Sequence, residues 1–120
     1  MSFYESVFII RQDVSSADVD KITEDVSAVL TNLGSEILKK EYWGLRSLAY
    51  DISNNKKGHY ILVGHSSSNQ ALKALEHKMK YSQDVIRHLT LKVEEISQEP
   101  SPILRAETDG FENSIDVTIV

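Results

Sequence analysis

The segment FYESVFII, residues 3–10, most limits how this chain can fold. It is rich in aromatic and β-branched residues, which favour an extended strand. Its apolar residues fall on both sides of that strand, with Phe8 and Ile10 on one face and Val7 and Ile9 on the other. A strand that is apolar on both faces usually lies inside a sheet whose two faces are covered. We therefore expect residues 3–10 to form a central strand.

Two further stretches have the spacing of amphipathic helices. The first follows Ser15 and Ser16, has acidic residues in its first turn and ends before Gly34, where a helix C-cap favours glycine. The second follows a run of serines and Asn69 that can cap its N-terminus. The predicted buried stripes are Val19, Ile22, Val26, Val29, Leu30 and Leu33 in the first helix, and Leu72, Leu75 and Met79 in the second.

Three more segments have the character of strands, at residues 35–53, 59–65 and 85–93, and SNNKKG at 53–58 supplies turn residues. The order strand, helix, strand, strand, helix, strand is typical of the α+β, ferredoxin-like split βαβ fold. This fold is a four-stranded antiparallel sheet with two helices on one face and the first and third strands in the middle. Because the helices cover one face only, we expect aromatic residues of the other face to need a partner, either another chain or stacked bases.

Charge and composition divide the chain into residues 1–93, the predicted ferredoxin-like domain, and residues 94–120, a predicted acidic and flexible tail. The tail holds both prolines and has no helical or strand periodicity until SIDVTIV, which could add to a sheet edge. The net charge of −5 disfavours a polyanion partner, yet residues 35–93 carry ten basic and five acidic side chains. One basic surface therefore stays compatible with RNA.

Several classes of function lack support in the sequence. The chain has no Cys, no phosphate-binding glycine loop and no recognisable nucleophile or metalloprotease motif, so we expect no catalytic residues. The four His are not spaced as metal ligands, and we expect neither a metal nor a cofactor. The longest apolar run, Val7 to Ile10, is too short to span a membrane, and no export signal is evident. We therefore expect a cytoplasmic protein.

The basic residues of the predicted strands are more informative than those of the helices. The solubility that lysines give to an exposed helix face is enough to account for the lysines of the helices. Arg46, Arg87 and Lys92, however, lie in strands near Trp43, Tyr50 and His88. Basic side chains combined with aromatic planes on a sheet are typical of an RNA-binding face, although edge strands also carry Lys and Arg to block aggregation.

Four motifs resemble the S-six family of small-subunit ribosomal proteins of bacteria: the YE at Tyr4, WGLRSLAYDI at 43–52, KKGHY at 56–60 and DVIRHLTLK at 84–92. The resemblance covers residues 3–93. It implies a structural protein of the cytoplasmic small ribosomal subunit, which binds 16S ribosomal RNA together with the S-eighteen ribosomal protein and has no enzymatic activity and no small-molecule substrate. It also implies that Gly44 allows the long second strand to bend or bulge and that Leu48 and Ile52 are packing residues.

The residues predicted to bind RNA or the partner protein carry basic or aromatic side chains. The basic ones would neutralise phosphates, and the aromatic ones would provide apolar or stacking contact. These residues are Tyr4, Trp43, Arg46, Lys56, Tyr60, Arg87, His88 and Lys92.

Two other functions are compatible with the same predicted fold. The first is an adaptor or regulatory domain that uses the open sheet face to bind a protein or a small metabolite. The second is an acylphosphatase-type enzyme, which would need an anion-binding loop with an arginine after the first strand. Arg11 lies near that position, but the following QDVSS lacks the glycines of such a loop.

Overall fold

The secondary-structure elements follow the predicted order. The structure, a computed structural model, describes residues 1–52 and 54–96. Neither of its two helices combines the length and the apolarity that a membrane span requires. The elements are β1 (Ser2–Arg11), α1 (Ser16–Asn32), β2 (Glu36–Ile52), β3 (Asn55–Ser67), α2 (Asn69–Tyr81) and β4 (Val85–Val93).

The strands form a four-stranded sheet in the order β2-β3-β1-β4, and every neighbouring pair is antiparallel. The predicted ferredoxin-like arrangement is confirmed, and β1 and β3 occupy the middle. Ser6 of β1, for example, pairs with Val63 of β3 on one side and with Thr90 of β4 on the other. Within residues 1–52 and 54–96, β2 and β4 are therefore the two edge strands.

The helix ends follow from side chains that satisfy free backbone groups. The hydroxyl of Ser15 accepts a hydrogen bond from the Asp18 amide, and the hydroxyl of Ser68 accepts one from the Ala71 amide. At the other end of α1, the amide of Gly34 donates to the carbonyl of Thr31, and the chain then turns into β2.

One hydrophobic core lies between the helices and the sheet. The prediction that Val19, Val26 and Leu30 are buried is confirmed. Ile22 and Val29 are half-buried, and the prediction is wrong for Leu33, which is exposed at the helix end. In α2 the prediction needs a correction, because Ala71 is buried whereas Leu72 is only half-buried. Ala71 precedes Leu75 by four residues and shares its face. The buried core residues are Phe8, Ile10, Val19, Val26, Leu30, Ile61, Val63, Ala71, Leu75 and Met79.

A second hydrophobic core covers the face of the sheet that the helices leave open. Trp43 and Tyr60 belong to it and are 3% and 2% exposed. The expectation that the aromatic residues of this face need a partner is therefore wrong for these two, because β2 itself supplies the cover. The predicted packing role of Leu48 is confirmed. The buried residues are Val7, Ile9, Trp43, Tyr60 and Leu62, with Leu48 and Ile86 packed against them.

The turn between β2 and β3 is shorter than predicted. Asn55 already belongs to β3 and pairs with Ile52, and Asn54 adopts the positive φ of 66°. Gly58 consequently lies in β3, where an added Cβ would approach Ile9 Cγ2 to 2.2 Å. The close contact with β1, rather than a turn, favours glycine at position 58.

The predicted tail lies almost entirely outside the described residues, so the boundary at residue 93 stays a prediction. Of residues 94–120, the structure describes the first three. Ile96 folds back over the face opposite the helices and reaches the position of Gly64 on β3.

Replacing Leu30 by Ala should lower the free energy of unfolding by about 2–5 kcal/mol, because a fully buried side chain leaves a cavity between α1 and the sheet. Urea denaturation of Leu30→Ala measures this loss. Leu33→Ala is the control, since Leu33 is 37% exposed at the end of the same helix. Equal losses in the two variants would mean that the buried face of α1 is assigned incorrectly.

Candidate nucleic-acid interface

A β-bulge at Trp43 and Gly44 shapes the face opposite the helices. The pairing of β2 with β3 shifts by one residue between Tyr42 and Gly44, and Gly44 has φ +91°. Glycine adopts this conformation without the steric cost that a side chain would add. The predicted bend in the second strand at Gly44 is thus confirmed. Because of the extra residue, Trp43 and Arg46 point to the same face, although they are three residues apart.

Trp43 lies flat over the middle of this face. Its ring stacks on that of Tyr60, with 6.3 Å between the centroids and 18° between the planes. The indole Nε1 donates a hydrogen bond of 3.0 Å to Glu41 Oε1. The second oxygen of Glu41 lies 3.6 Å from the ammonium nitrogen of Lys39. Trp43 is therefore fixed by packing and by a hydrogen bond to a carboxylate that also pairs with a lysine.

The contact between Glu41 and Lys39 is shielded from solvent. Their side chains are only 7% and 9% exposed. Gly64 of β3 lies beneath them, and a Cβ at that position would come within 3.2 Å of Lys39 Cβ and 3.0 Å of Ile96 Cγ2. The absence of a side chain at Gly64 makes room for both neighbours.

Arg46 places a positive charge on the same face, next to the bulge. Its Nε donates a hydrogen bond of 2.8 Å to the carbonyl oxygen of Trp43. This bond ties the guanidinium to the backbone of the bulge, and the residue is half-buried. The position of Arg46 therefore depends directly on the conformation at Trp43 and Gly44.

An irregular part of β2 carries Tyr50 across the sheet to β4. Ser47 pairs with Lys57 and Ile52 with Asn55, so β2 contains three more residues than β3 between these pairs. The Arg87 guanidinium lies 5.6 Å from the centre of the Tyr50 ring, in a cation–π contact. Arg87 pairs with Ile9 and so lies on the same face as Trp43. Tyr50 is not among the predicted site residues, since no local sequence pattern reveals how far this segment reaches.

The eight predicted site residues do not form one cluster. Four of them, Trp43, Arg46, Tyr60 and Arg87, lie on the face opposite the helices. His88 and Lys92 point to the helix side, because strand neighbours alternate between faces. Both are exposed.

Lys56 and Tyr4 lie apart from the rest. Lys56 is exposed near the turn between β2 and β3. Tyr4 is 8% exposed on the helix side, where its ring stacks on His65 at 5.9 Å. Like Trp43 and Tyr60, it contacts the protein's own residues, so none of these three rings presents a free stacking surface. The roles of all eight residues in binding stay predictions.

His65 is the centre of a buried polar network beneath Tyr4. Its Nε2 lies 2.9 Å from the hydroxyl oxygen of Ser6, and its Nδ1 lies 2.6 Å from that of Ser67. The Ser6 hydroxyl also contacts Thr90 of β4 at 2.9 Å. Desolvation by burial lowers the pKa of His65 from 6.5 to about 4. The ring is consequently neutral at pH 7 and joins β1, β3 and β4.

The arrangement around Arg11 does not support the acylphosphatase-type alternative. The guanidinium pairs with Asp84 at 2.6 Å and with Asp13 at 3.4 Å. These carboxylates raise the pKa of Arg11, with the hydrogen bond to Asp84 as the largest cause. An anion would have to displace both acidic partners. Among residues 1–52 and 54–96, no group of three His, Asp or Glu could hold a metal ion.

The family model for ribosomal protein S6 matches residues 3–92. The chain belongs to this family. The family that the motifs resemble is thereby confirmed over nearly the whole described domain.

Relatives of this S6 family chain share its length as well as its sequence. The small ribosomal subunit protein bS6 of Rickettsia prowazekii is 54% identical over 119 residues, which cover 99% of this chain and 98% of the relative. The protein of the same name from Rickettsia canadensis is 50% identical over the same share of each chain. The crystal structure of 30S ribosomal protein S6 from Thermotoga maritima has a TM-score of 0.73 and 28% identity, covering 77% of this chain and 87% of that one.

The free energy of unfolding should fall as the pH is lowered from about 6.5 to about 4, by roughly 3 kcal/mol in total from His65. In this range the unfolded chain binds a proton at His65 and the folded chain does not. Urea denaturation between pH 7 and pH 4.5 measures the decrease. In His65→Gln this part of the pH dependence should disappear, whereas His77→Gln, which alters an exposed His, should retain it. Identical pH dependence in both variants would contradict the assignment.

Proposed function

We propose that this chain is a structural protein of the small ribosomal subunit and binds 16S ribosomal RNA jointly with the S-eighteen ribosomal protein. The observation that carries the proposal is the match to the ribosomal protein S6 family over residues 3–92, together with 54% identity to a small ribosomal subunit protein over 119 residues. Such a protein works in the cytoplasm, within the ribosome. The family is one of ribosomal structural proteins, so the chain is not an enzyme.

Arg46 and Arg87 supply the basic part of the proposed RNA contact. They lie on the same face of the sheet but on its opposite edges, β2 and β4, so three strand spacings of about 4.8 Å separate their strands. Neutralisation of phosphates by arginine releases counterions and makes the affinity depend on salt. Trp43 and Tyr60 pack beneath this surface in the second hydrophobic core.

The S-eighteen protein is proposed to cover the apolar end of the same face. Phe3 of β1 is 38% exposed and Leu91 of β4 is 44% exposed. Phe3 pairs with Val93, and Leu91 pairs with Glu5, so these four side chains share the face opposite the helices. Exposed apolar side chains beside the basic edge suit a protein partner better than phosphates. RNA and partner would thus contact adjoining parts of one face.

The double variant Arg46→Ala with Arg87→Ala should bind 16S ribosomal RNA more weakly in the presence of the S-eighteen protein. The slope of log affinity against log salt should become shallower by about one unit for each lost phosphate contact. Both residues lie outside the buried cores, so the variant should fold. Filter binding at several salt concentrations gives the slope.

The matched control is Lys21→Ala with Lys78→Ala, which removes two positive charges from the helices. It should retain nearly the wild-type affinity. If the arginine variant enters small-subunit particles as well as wild type at matched salt and partner concentrations, these two arginines do not contact RNA. The adaptor alternative instead predicts that the wild-type protein shows little salt-dependent affinity for this RNA.

A further inference from the structure

A second basic surface lies on the helix side of the sheet. Residues of α2 and β4 form a groove there, which we name the α2–β4 groove. It lies on the opposite side of the sheet from Arg46 and Arg87, so one flat surface could not contact both. The groove is lined by Lys73, Glu76, His77, Lys80, Tyr81 and His88.

Two different periodicities bring these side chains together. Lys73, His77 and Lys80 recur at intervals of four and three residues, which places them on one stripe of α2. His88 pairs with Phe8, a residue of the core between helices and sheet, so it points toward α2. This convergence depends on the tertiary fold, so the spacing of the residues in the sequence does not reveal it.

The charges of the groove are little compensated by neighbouring acids. Within residues 1–52 and 54–96, no carboxylate oxygen lies within 4.0 Å of the ammonium group of Lys73 or Lys80. Glu76 is the one acidic residue of the lining. Lys80 also suits the negative end of the α2 dipole, but that effect acts only in the last turn. It does not account for Lys73, near the start of the helix, or for His88 on a strand.

Tyr81 gives the groove an aromatic surface that is open to solvent. Its side chain is 67% exposed, in contrast to the buried rings of Tyr4, Trp43 and Tyr60. The ring of His77 lies 4.7 Å from it at an angle of 49°, and Lys80 Nζ lies 5.7 Å from its centre. Proteins that bind single-stranded nucleic acids use exposed aromatic rings beside basic side chains for base stacking and phosphate contact.

We propose that the α2–β4 groove binds the sugar–phosphate backbone of an RNA strand, with Lys73 and Lys80 at phosphates and Tyr81 against a base or ribose. This second contact rests on the proposed function as a ribosomal RNA-binding protein. Because β4 is an edge strand, Arg87 and His88 point to opposite sides of the same exposed edge. An RNA strand that passes around this edge reaches both surfaces. Lys92, exposed on the helix side of β4, continues the basic line along the strand.

The test compares Lys73→Gln with Lys80→Gln against Lys21→Gln with Lys78→Gln, double variants with the same net charge. The probe is 16S ribosomal RNA with the S-eighteen protein present, titrated at several salt concentrations. The groove variant should bind several-fold more weakly, with a salt slope shallower by about one unit per lost phosphate contact. The control should bind like the wild-type protein. Tyr81→Leu should also weaken binding, but without a change in slope, because no charge is lost.

The possible results distinguish a failure of the groove proposal from a failure of the proposed function. Wild-type binding by the Lys73/Lys80 and Tyr81 variants, alongside weakened binding by the Arg46/Arg87 variant, would overturn the groove and leave the ribosomal function intact. Equal losses in the groove variant and its charge-matched control would also overturn it, since the effect would then reflect net charge alone. If the wild-type protein itself does not bind this RNA, the proposed function is wrong, and the groove proposal that rests on it is wrong as well.

Discussion

The packing of Trp43 onto Tyr60 is the interaction on which the second face of the sheet depends. Without it, Val7 and Ile9 of the central strand would face solvent, and full burial of each such side chain contributes about 1.5–3 kcal/mol. The bulge at Gly44 makes the packing possible, because it turns Trp43 inward and leaves its carbonyl oxygen for the Arg46 guanidinium. One local irregularity in β2 thus provides both the cover of the sheet and the anchor for a basic residue.

The helices, the strands and the topology could be predicted because each depends on short-range periodicity. The two-sided apolar pattern of residues 3–10 placed β1 in the middle of the sheet, as the structure confirms. The family resemblance implies the irregularity at Gly44, but periodicity alone does not locate the other shifts of register in β2, and one extra residue reverses the face of every side chain that follows. The prediction of the site residues is affected most, because it depends on which face each side chain occupies. Arg87 and His88 are neighbours in the chain but lie on opposite faces of the sheet, whereas Tyr50 and Arg87 meet from its two edge strands.

The distribution of charge explains how a chain of net charge −5 can serve as an RNA-binding protein. Arg87 lies on one face of the β4 edge and Lys73, Lys80 and Lys92 lie on the other, whereas Arg46 lies on the opposite edge strand, β2. The rings of Trp43 and Tyr60 are buried, whereas Lys73, Lys80 and Lys92 are exposed. In this account the geometry of the folded sheet, rather than base stacking on Trp43, determines where RNA is bound.

The fluorescence of Trp43 tests this account most directly, because the chain contains one Trp. The emission should be measured for the free protein and for the complex with 16S ribosomal RNA and the S-eighteen protein, with the Trp43→Phe complex subtracted to remove the partner's own signal. We expect an emission that acrylamide quenches poorly and that keeps its maximum and intensity when RNA binds, since the ring is 3% exposed within the protein's own core. Ready quenching by acrylamide in the free protein would contradict the burial of Trp43, and strong quenching by bound RNA would make Trp43 a direct stacking contact.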